Sequence, residues 1–208
     1  MIVRSSKMHA KSLIKETDRV IDLGCKKEAW PESDTVVDID DYSEYYKSIN
    51  PPKKFIQADA CNTPFEDDEF DFSICSHIIE HIITPAEFLN ELSRISKSGY
   101  IEFPTLLGDN LIRGNETEHK WFVTVDDVAG KLIFTPKVQI IPAIFTAREA
   151  GFLEEIFPNN LTTAIYWEGK IDFEINHDVV TPPEIPKFWK VLPKMAKILR
   201  LLKLHKSY

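Results

Sequence analysis

Short apolar runs, each closed by a turn residue or a polar residue, recur through the first half of the chain. The first is Arg19–Leu23, which is rich in branched side chains and is followed by Gly24. Similar runs follow at Thr35–Ile39, Phe55–Ala58 and Phe70–Cys75. Continuous apolar runs of this length, bounded by turn residues, are typical of buried parallel strands. The pattern therefore predicts four strands with room for helices between them.

A helix and a fifth strand come next. Thr84 and Pro85 open a segment whose apolar residues recur at helical spacing, which predicts a helix with Thr84 as N-cap and Pro85 at the first position. Those apolar residues are Phe88, Leu89, Leu92 and Ile95. Lys97–Gly99 predicts the helix end and Tyr100–Phe103 the fifth strand. Strands alternating with helices indicate an α/β fold, a doubly wound and mostly parallel sheet with helices on both faces.

The second half of the chain has a different pattern. Residues 105–148 show only weak periodicity, and we expect a substrate-side insertion there. A helix is predicted to end near Phe152. The runs Leu161–Trp167 and Lys170–Ile175, separated by Glu168 and Gly169, predict a β-hairpin. This C-terminal hairpin would complete a seven-stranded sheet with an antiparallel edge.

The composition is that of one globular domain, which we place at residues 1–186. The chain has 208 residues, 43% of them hydrophobic and 28% charged, enough for one α/β core and few for two. No apolar run is long enough to cross a membrane, and Met1–Lys15 lacks the apolar core of a secretory signal. Cys25, Cys61 and Cys75 do not have metal-ligand spacing, so the sequence predicts no metal site and a reducing cytoplasm.

Charge is unevenly distributed along the chain. The net charge is −8, yet residues 187–208 contain seven Lys or Arg and no acidic residue. The acidic remainder disfavours a nucleic acid partner. The apolar residues of the basic segment fall on one helical face and are Phe188, Val191, Leu192, Met195, Ile198, Leu199 and Leu202. Residues 187–206 therefore predict either peripheral contact with an anionic membrane or packing on the domain or on a partner. The oligomeric state is left open.

Several residues at predicted strand ends form a linked set of motifs. Val20–Cys25 is an apolar strand that runs into Asp-x-Gly, Asp38 lies sixteen residues after Asp22, and Asp59 with Ala60 lies twenty-one residues further on. Cys75–His81 reads Cys-Ser-His-Ile-Ile-Glu-His and precedes the Phe88–Arg94 helix segment. Together these residues resemble class I S-adenosylmethionine (SAM)-dependent methyltransferases, in particular the small type 11 branch. The resemblance covers roughly residues 18–104.

The resemblance implies SAM as methyl donor, S-adenosylhomocysteine (SAH) as product, and a set of cofactor-binding residues. Asp38, at the end of the second strand, would accept the ribose hydroxyls, with Ile39 beside it. Asp59 would accept from the adenine amino group while the Ala60 amide donates to the ring. The remaining residues would line the methionine side and the mouth of the site, namely Asp22, Gly24, Cys25, Ser76 and His77.

One position departs from the family pattern and keeps alternatives open. Lys26 stands where a second glycine is expected, and a lysine in a left-handed conformation there would cost about 1 kcal/mol. Its side chain would either meet the SAM carboxylate or remain in solvent. A methyltransferase-like binding or regulatory protein without catalysis is therefore an alternative. A nicotinamide-dependent dehydrogenase is disfavoured, because Gly24–Ala29 lacks the second and third glycines of GxGxxG.

The acceptor is predicted to be a hydroxyl of a small molecule or glycan. Methyl transfer to a hydroxyl benefits from a general base, since the proton must leave as the bond forms. His119, beside Trp121 and Phe122 in the insertion, and His77, near the expected methyl group, are the catalytic candidates. An ordinary loop histidine remains an equal interpretation of His119, and His81 is interpreted as a structural residue.

Overall fold

A computed structural model describes residues 1–157 and 160–178, together with Val191 and Lys194. The rest of the basic segment 187–208 lies outside the described residues, and its membrane or partner contact stays a prediction. The strands are β1 (Ile2–Arg4), β2 (Val20–Leu23), β3 (Thr35–Asp38), β4 (Lys54–Gln57), β5 (Phe70–Ser76), β6 (Ser96–Pro104), β7 (Trp121–Asp126), β8 (Lys131–Pro136), β9 (Thr162–Glu168) and β10 (Phe173–Ile175). The helices are α1 (Lys7–Leu13), α2 (Ser43–Ser48), α3 (Pro85–Ile95), α4 (Leu106–Leu111), α5 (Asn115–Glu118) and α6 (Ala147–Ile156).

The main sheet has seven strands in the order β1-β9-β6-β5-β2-β3-β4. Strands β2 to β6 pair in parallel, whereas β9 runs antiparallel to both β6 and β1. The predicted α/β class, the five parallel strands and the antiparallel edge are thus confirmed. Strand order reverses at β2 and β5, because β2 leads outward to β3 and β4 while β5 leads the other way to β6.

Burial explains why these segments form strands and helices. All four residues of β2 are buried, as a central parallel strand requires. Helix α3 begins with Pro85 at its first turn and buries its apolar face, including Phe88 and Leu92, in the main core. The Thr84 hydroxyl precedes this helix as predicted, but it donates to the Glu87 carboxylate at 2.7 Å and caps no backbone amide.

The predicted C-terminal hairpin is wrong. Its first strand, β9, lies in the main sheet, but β10 pairs in parallel with β8 in a second, three-stranded sheet. The reason is that β9 already has β6 on one side and β1 on the other, so no edge is left for a hairpin partner. Beyond Gly169 the chain instead buries Ile171 in the main core, and Phe173 packs edge-on against Phe134 of β8.

Residues 105–148 contain more regular structure than their periodicity predicts. They include α4, α5 and an antiparallel β7–β8 hairpin, whose Leu132 and Phe134 are fully buried in the core of the main sheet. Helix α6 then confirms the helix predicted around Phe152, although it extends to Ile156. Among the residues described, no helix is both long enough and apolar enough to cross a bilayer.

Candidate active site

The carboxyl ends of β2 and β5 lie at the point where strand order reverses, which is where open α/β sheets bind ligands. Gly24 follows β2 and His77 follows β5, and both have a positive φ, at 70° and 54°. A Cβ on Gly24 would lie 2.4 Å from Cδ1 of Ile78, so only glycine fits this crossing without displacing that side chain. Two grooves adjoin here, and Gly24, Lys26 and His77 line both of them.

One groove, which we call the Asp38 groove, has a volume of about 510 Å³. Its lining includes Asp38, Ile39, Asp59, Ala60, His77, Ile78, His81, Glu118 and Lys120. The sequence predicted its first five residues for the cofactor. Ile39 is 67% exposed, which leaves an apolar surface at this position.

Asp38 is held at the tip of β3 by backbone amides. Its Oδ2 accepts from the Lys26 amide at 3.0 Å and its Oδ1 from the Asp40 amide at 3.1 Å. Each carboxylate oxygen has a second lone pair, so the side chain is oriented and can still accept from a ligand. Lys26 has φ 52°, the left-handed conformation in which the family pattern favours glycine, and its amide still donates to Asp38.

Asp59 lies just beyond β4 on an exposed turn. Its Oδ1 accepts from the Cys61 amide at 2.8 Å, a local turn that orients the carboxylate. Ala60 follows it on the same wall of the groove. Asp38 and Asp59 therefore stand at the ends of two neighbouring parallel strands, as the sequence predicted from their spacing.

The other groove, the Asp22 groove, has a volume of about 630 Å³. Its lining includes Lys7, Asp22, Cys25, Lys27, Trp30, Tyr42, Ser76, His77 and Glu102. Asp22, Cys25, Ser76 and His77 were predicted for this side. The other residues of this lining were not predicted. Lys7, for example, reaches the groove only because α1 packs beside it, and no local motif indicates that contact.

Asp22 is fully buried at the end of β2. Its Oδ2 accepts from the Trp30 amide at 2.8 Å, while its Oδ1 has no partner. Burial raises the pKa of Asp22 to about 7, against the lowering effects of the Trp30 amide and of Lys53 and Lys7. An unpartnered buried carboxylate oxygen is costly, and a cationic ligand group would offset that cost.

Cys25 and Ser76 frame this groove without carrying charge. Burial, together with the nearby Asp22 charge, raises the pKa of the Cys25 thiol to about 12, so the group is neutral. Its Sγ lies 3.3 Å from the Tyr46 hydroxyl. The Ser76 hydroxyl is buried and has no partner, which leaves a donor and an acceptor at the mouth of the groove.

His77 stands where the two grooves meet. Its Nδ1 lies 3.2 Å from Oε1 of Glu80 and its Nε2 lies 3.5 Å from Oε1 of Glu102. Burial opposes a charge on the imidazole, but the hydrogen bond and charge of Glu80 and the charge of Glu102 outweigh it and raise the pKa of His77. The Tyr100 hydroxyl donates to Glu102 at 2.5 Å and fixes that carboxylate in turn.

His119, the other catalytic candidate, lies behind the wall of the Asp38 groove. Its side chain is only 7% exposed, and its Nδ1 lies 2.6 Å from Oδ1 of Asp109. The Lys137 ammonium donates to the same oxygen at 2.6 Å. The His119 ring packs edge-on against His81, with centroids 4.5 Å apart, so its nearest route to the groove runs through His81.

Comparison with known proteins gives a family match for the segment that carries most of the groove residues. Residues 23–101 match the sequence model of a family described as a methyltransferase domain. These residues run from the end of β2 into β6 and include both predicted groove aspartates that follow Asp22. A search of curated proteins finds no match.

Solved structures give distant likenesses. The PH0226 protein from Pyrococcus horikoshii OT3 is 20% identical over 74% of this chain and 82% of its own, with a TM-score of 0.46. A SAM-dependent methyltransferase from Aquifex aeolicus is 13% identical over 72% of this chain and 80% of its own, with a TM-score of 0.41. PKMT2 from Rickettsia typhi is 20% identical over 46% of this chain and 23% of its own, with a TM-score of 0.38.

Residues 23–101 thus match a methyltransferase domain, and domains of this kind use SAM as methyl donor and release SAH. The residues present fit this cofactor. A buried aspartate with an unpartnered oxygen suits the methionine ammonium, and an aspartate held by two amides at the tip of β3 suits the ribose diol. Asp22 and Asp38 line adjoining grooves, which suits the methionine and ribose portions of one SAM molecule.

Proposed function

We propose that this methyltransferase transfers the methyl group of SAM to a hydroxyl of a small molecule or glycan. The observation that carries the proposal is the meeting of the Asp38 groove and the Asp22 groove at His77. When bound, SAM supplies a methyl group on a sulfonium, which a nucleophile takes by in-line displacement. The protein's task is then to hold the donor, align the acceptor and exclude water.

The chain's own residues divide this task between the two grooves. Asp38 accepts the ribose hydroxyls, with Ile39 against the adenosine, while Asp59 and the Ala60 amide bind the adenine edge. In the Asp22 groove, Asp22 would attract the methionine ammonium, and Gly24 and Cys25 would line its path. Lys7 or Lys26 faces the methionine carboxylate, since both lysines line that groove.

The acceptor hydroxyl must lose its proton near His77 and Ser76. Glu80 and Glu102 raise the pKa of His77 and so favour its charged form, and we infer that His77 positions the acceptor rather than taking its proton. Glu102 lines the same groove and is within 3.5 Å of His77, which makes it an additional candidate base. His119 remains a candidate that would act through the His81 wall.

The conformation of Lys26 supports an alternative, a methyltransferase-like binding or regulatory protein that does not turn over. A lysine at φ 52° strains the cofactor loop by about 1–2 kcal/mol. Calorimetric titration with SAM and with SAH separates the two functions from a protein with no SAM site. Micromolar binding followed by methyl transfer supports the enzyme, and binding without transfer to any acceptor supports the alternative.

Asp38→Ala is the variant that tests the donor site. It removes both acceptors for the ribose hydroxyls and should weaken SAM and SAH binding about 100-fold or more, because each charge-assisted hydrogen bond is worth about 1.5–3 kcal/mol. Asp127→Asn is the matched control, since Asp127 is an exposed aspartate paired with Arg4 on the β7–β8 turn. Equal SAM affinity in both variants would remove Asp38 from the site.

The acceptor class is tested by incubating the protein with labelled SAM and mixed acceptor panels that carry hydroxyls, amines or carboxylates. Label on a hydroxyl of a small molecule or glycan is the expected outcome, and label only on an amine would overturn the acceptor assignment. We further propose a cytoplasmic location with peripheral membrane or partner contact through residues 187–206. Deleting residues 187–208 should release the protein from anionic vesicles if membrane contact is correct.

A further inference from the structure

Three side chains converge in the wall of the Asp38 groove, away from both aspartates. Glu80 and His81 lie on the turn after β5, and His119 follows α5 in the insertion. One ligand atom from each of the three lies within 4.8 Å of the other two. Two imidazoles and a carboxylate at such separations need only small adjustments to contact a common ion at about 2.0–2.2 Å.

The Glu80 carboxylate is the least satisfied member of this cluster. Its side chain is 1% exposed, and its Oε1 faces His77 at 3.2 Å. Its Oε2 is buried without any hydrogen-bond partner. Leaving a charged oxygen unpaired in the interior costs about 1–3 kcal/mol or more, so a buried orphan of this kind calls for a partner. A cation supplies one.

His119 is oriented for metal binding by a contact on its far side. Asp109 holds Nδ1 of His119 at 2.6 Å, and Lys137 holds Asp109, so the other ring nitrogen of His119 is directed away from that pair. A carboxylate behind a histidine is the usual outer partner of a metal ligand.

We propose that Glu80, His81 and His119 bind one divalent transition-metal ion, with Asp109 as the outer carboxylate that orients His119. Imidazole nitrogens favour ions such as Zn²⁺ or Co²⁺ over Mg²⁺ and Ca²⁺. Three protein ligands leave at least one coordination position, which takes an oxygen donor such as a hydroxyl, a carboxylate or a phosphate. His81 lines the Asp38 groove, so that position is reached from the groove. The further step, in which the ion holds the acceptor hydroxyl, rests on the proposed function.

The test uses the full chain without a histidine tag. Calorimetry measures the binding of Zn²⁺, and visible absorption measures the binding of Co²⁺. We expect one ion per chain and cobalt bands typical of nitrogen and oxygen ligands. Glu80→Gln and His81→Asn should each weaken binding more than tenfold, and Asp109→Asn about 10–100-fold. His9→Asn should change nothing, because His9 lies exposed on α1.

The outcomes separate this proposal from the proposed function. Metal binding is measured without SAM, and SAM binding is measured in the presence of a chelator. Ion binding without SAM binding would support the metal site and contradict the proposed methyltransferase function. SAM binding without ion binding would support that function and contradict the metal site. A wild-type chain without cobalt bands, or variants that bind like wild type, would overturn the site. Circular dichroism checks folding, and half-buried His81 gives the variant least disruptive to the core.

Discussion

The two sides of the site are held by different kinds of contact. In the first half of the chain, Asp22 and Asp38 stand at strand ends and are oriented by backbone amides two to twelve residues away. In the insertion, His119, Asp109 and Lys137 are buried side chains that orient one another. Amide contacts come with the fold itself, whereas a buried charge cluster survives only while every member is present.

The largest expected effect breaks the side-chain cluster. Lys137→Met leaves Asp109 buried beside His119 without its ammonium partner, which should lower the free energy of unfolding by about 3–5 kcal/mol. Denaturant unfolding measures this loss. SAM affinity of the folded protein should change by less than about twofold, because Lys137 lines neither groove.

Lys131→Met provides the control, because Lys131 lies on β8, which ends directly before Lys137. Lys131 pairs with Glu174 at a partly exposed position, so its loss should cost far less stability than the loss of Lys137. Similar losses for the two lysine variants would show that the insertion does not depend on the buried cluster.

In the first half of the chain, removing a charge should stabilise the fold, and Asp22→Asn tests this. Removing a buried charge with an unpartnered oxygen should raise the free energy of unfolding at pH 8 by about 1–3 kcal/mol. The same change should weaken SAM binding at least about tenfold, because the methionine ammonium loses its counter-charge. Thermal unfolding and calorimetry measure the two effects, and a variant that loses stability would contradict the burial argument.

The pH dependence of the free protein follows from the raised pKa of Asp22. The folded state keeps this proton up to about pH 7, whereas the unfolded chain releases it near 3.8, so this group's contribution to stability falls as pH rises between the two values. An ammonium beside Asp22 favours the carboxylate. SAM binding should therefore release a proton and strengthen about tenfold between pH 6 and pH 7.5.

Calorimetry in two buffers of different ionisation enthalpy measures that proton. Lys7, Lys53 and Cys25 surround Asp22, and His77 titrates in the same groove, so Asp22→Asn is the necessary control. Proton release that persists in this variant would assign it to another group.

The smallest expected effect concerns the loop that departs from the family pattern. Lys26→Gly relieves a left-handed lysine and should raise the free energy of unfolding by about 1 kcal/mol. SAM affinity should fall only if Lys26, and not Lys7, faces the methionine carboxylate. Lys27→Gly should instead lower the free energy of unfolding by about 0.5–1 kcal/mol, since Lys27 lies outside the left-handed region. Equal effects at the two positions would show that φ at Lys26 carries no strain.

The sequence predicted the part of the fold in which structure and signal are local. Strands β2 to β6 each contain a short apolar run that ends at a turn or polar residue, although β4 is only partly buried. Asp38 is the last residue of β3, and Asp59 follows β4. Strand β1 carries no such signal, because it has three residues and its partner lies far along the chain, as in the pairing of Ile2 with Trp167. The Lys170–Ile175 run did indicate β10, but its partner β8 lies in the insertion and not next to it in the sequence. The hairpin prediction failed because a local run indicates a strand but not its distant partner.

The site followed the same division. Residues on strand ends were placed by spacing, whereas the contacts of His119 with Asp109 and His81 depend on how the insertion packs back on the turn after β5. The local sequence pattern placed Trp121 near His119, but it did not indicate the Asp109 carboxylate. Lys7 entered the Asp22 groove only through the position of α1.

Glu80 connects the two sides of the molecule through its main chain. Its carbonyl oxygen accepts from the amides of both Lys120 and Trp121, at 2.8 and 3.3 Å, so the start of β7 is fastened to the turn that carries His77. A ligand that shifts this turn must therefore act on both grooves. If a ligand in one groove changes the affinity of the other groove for its ligand by some factor, the second ligand must change the affinity for the first by the same factor. The order in which the two ligands bind then affects only the kinetics.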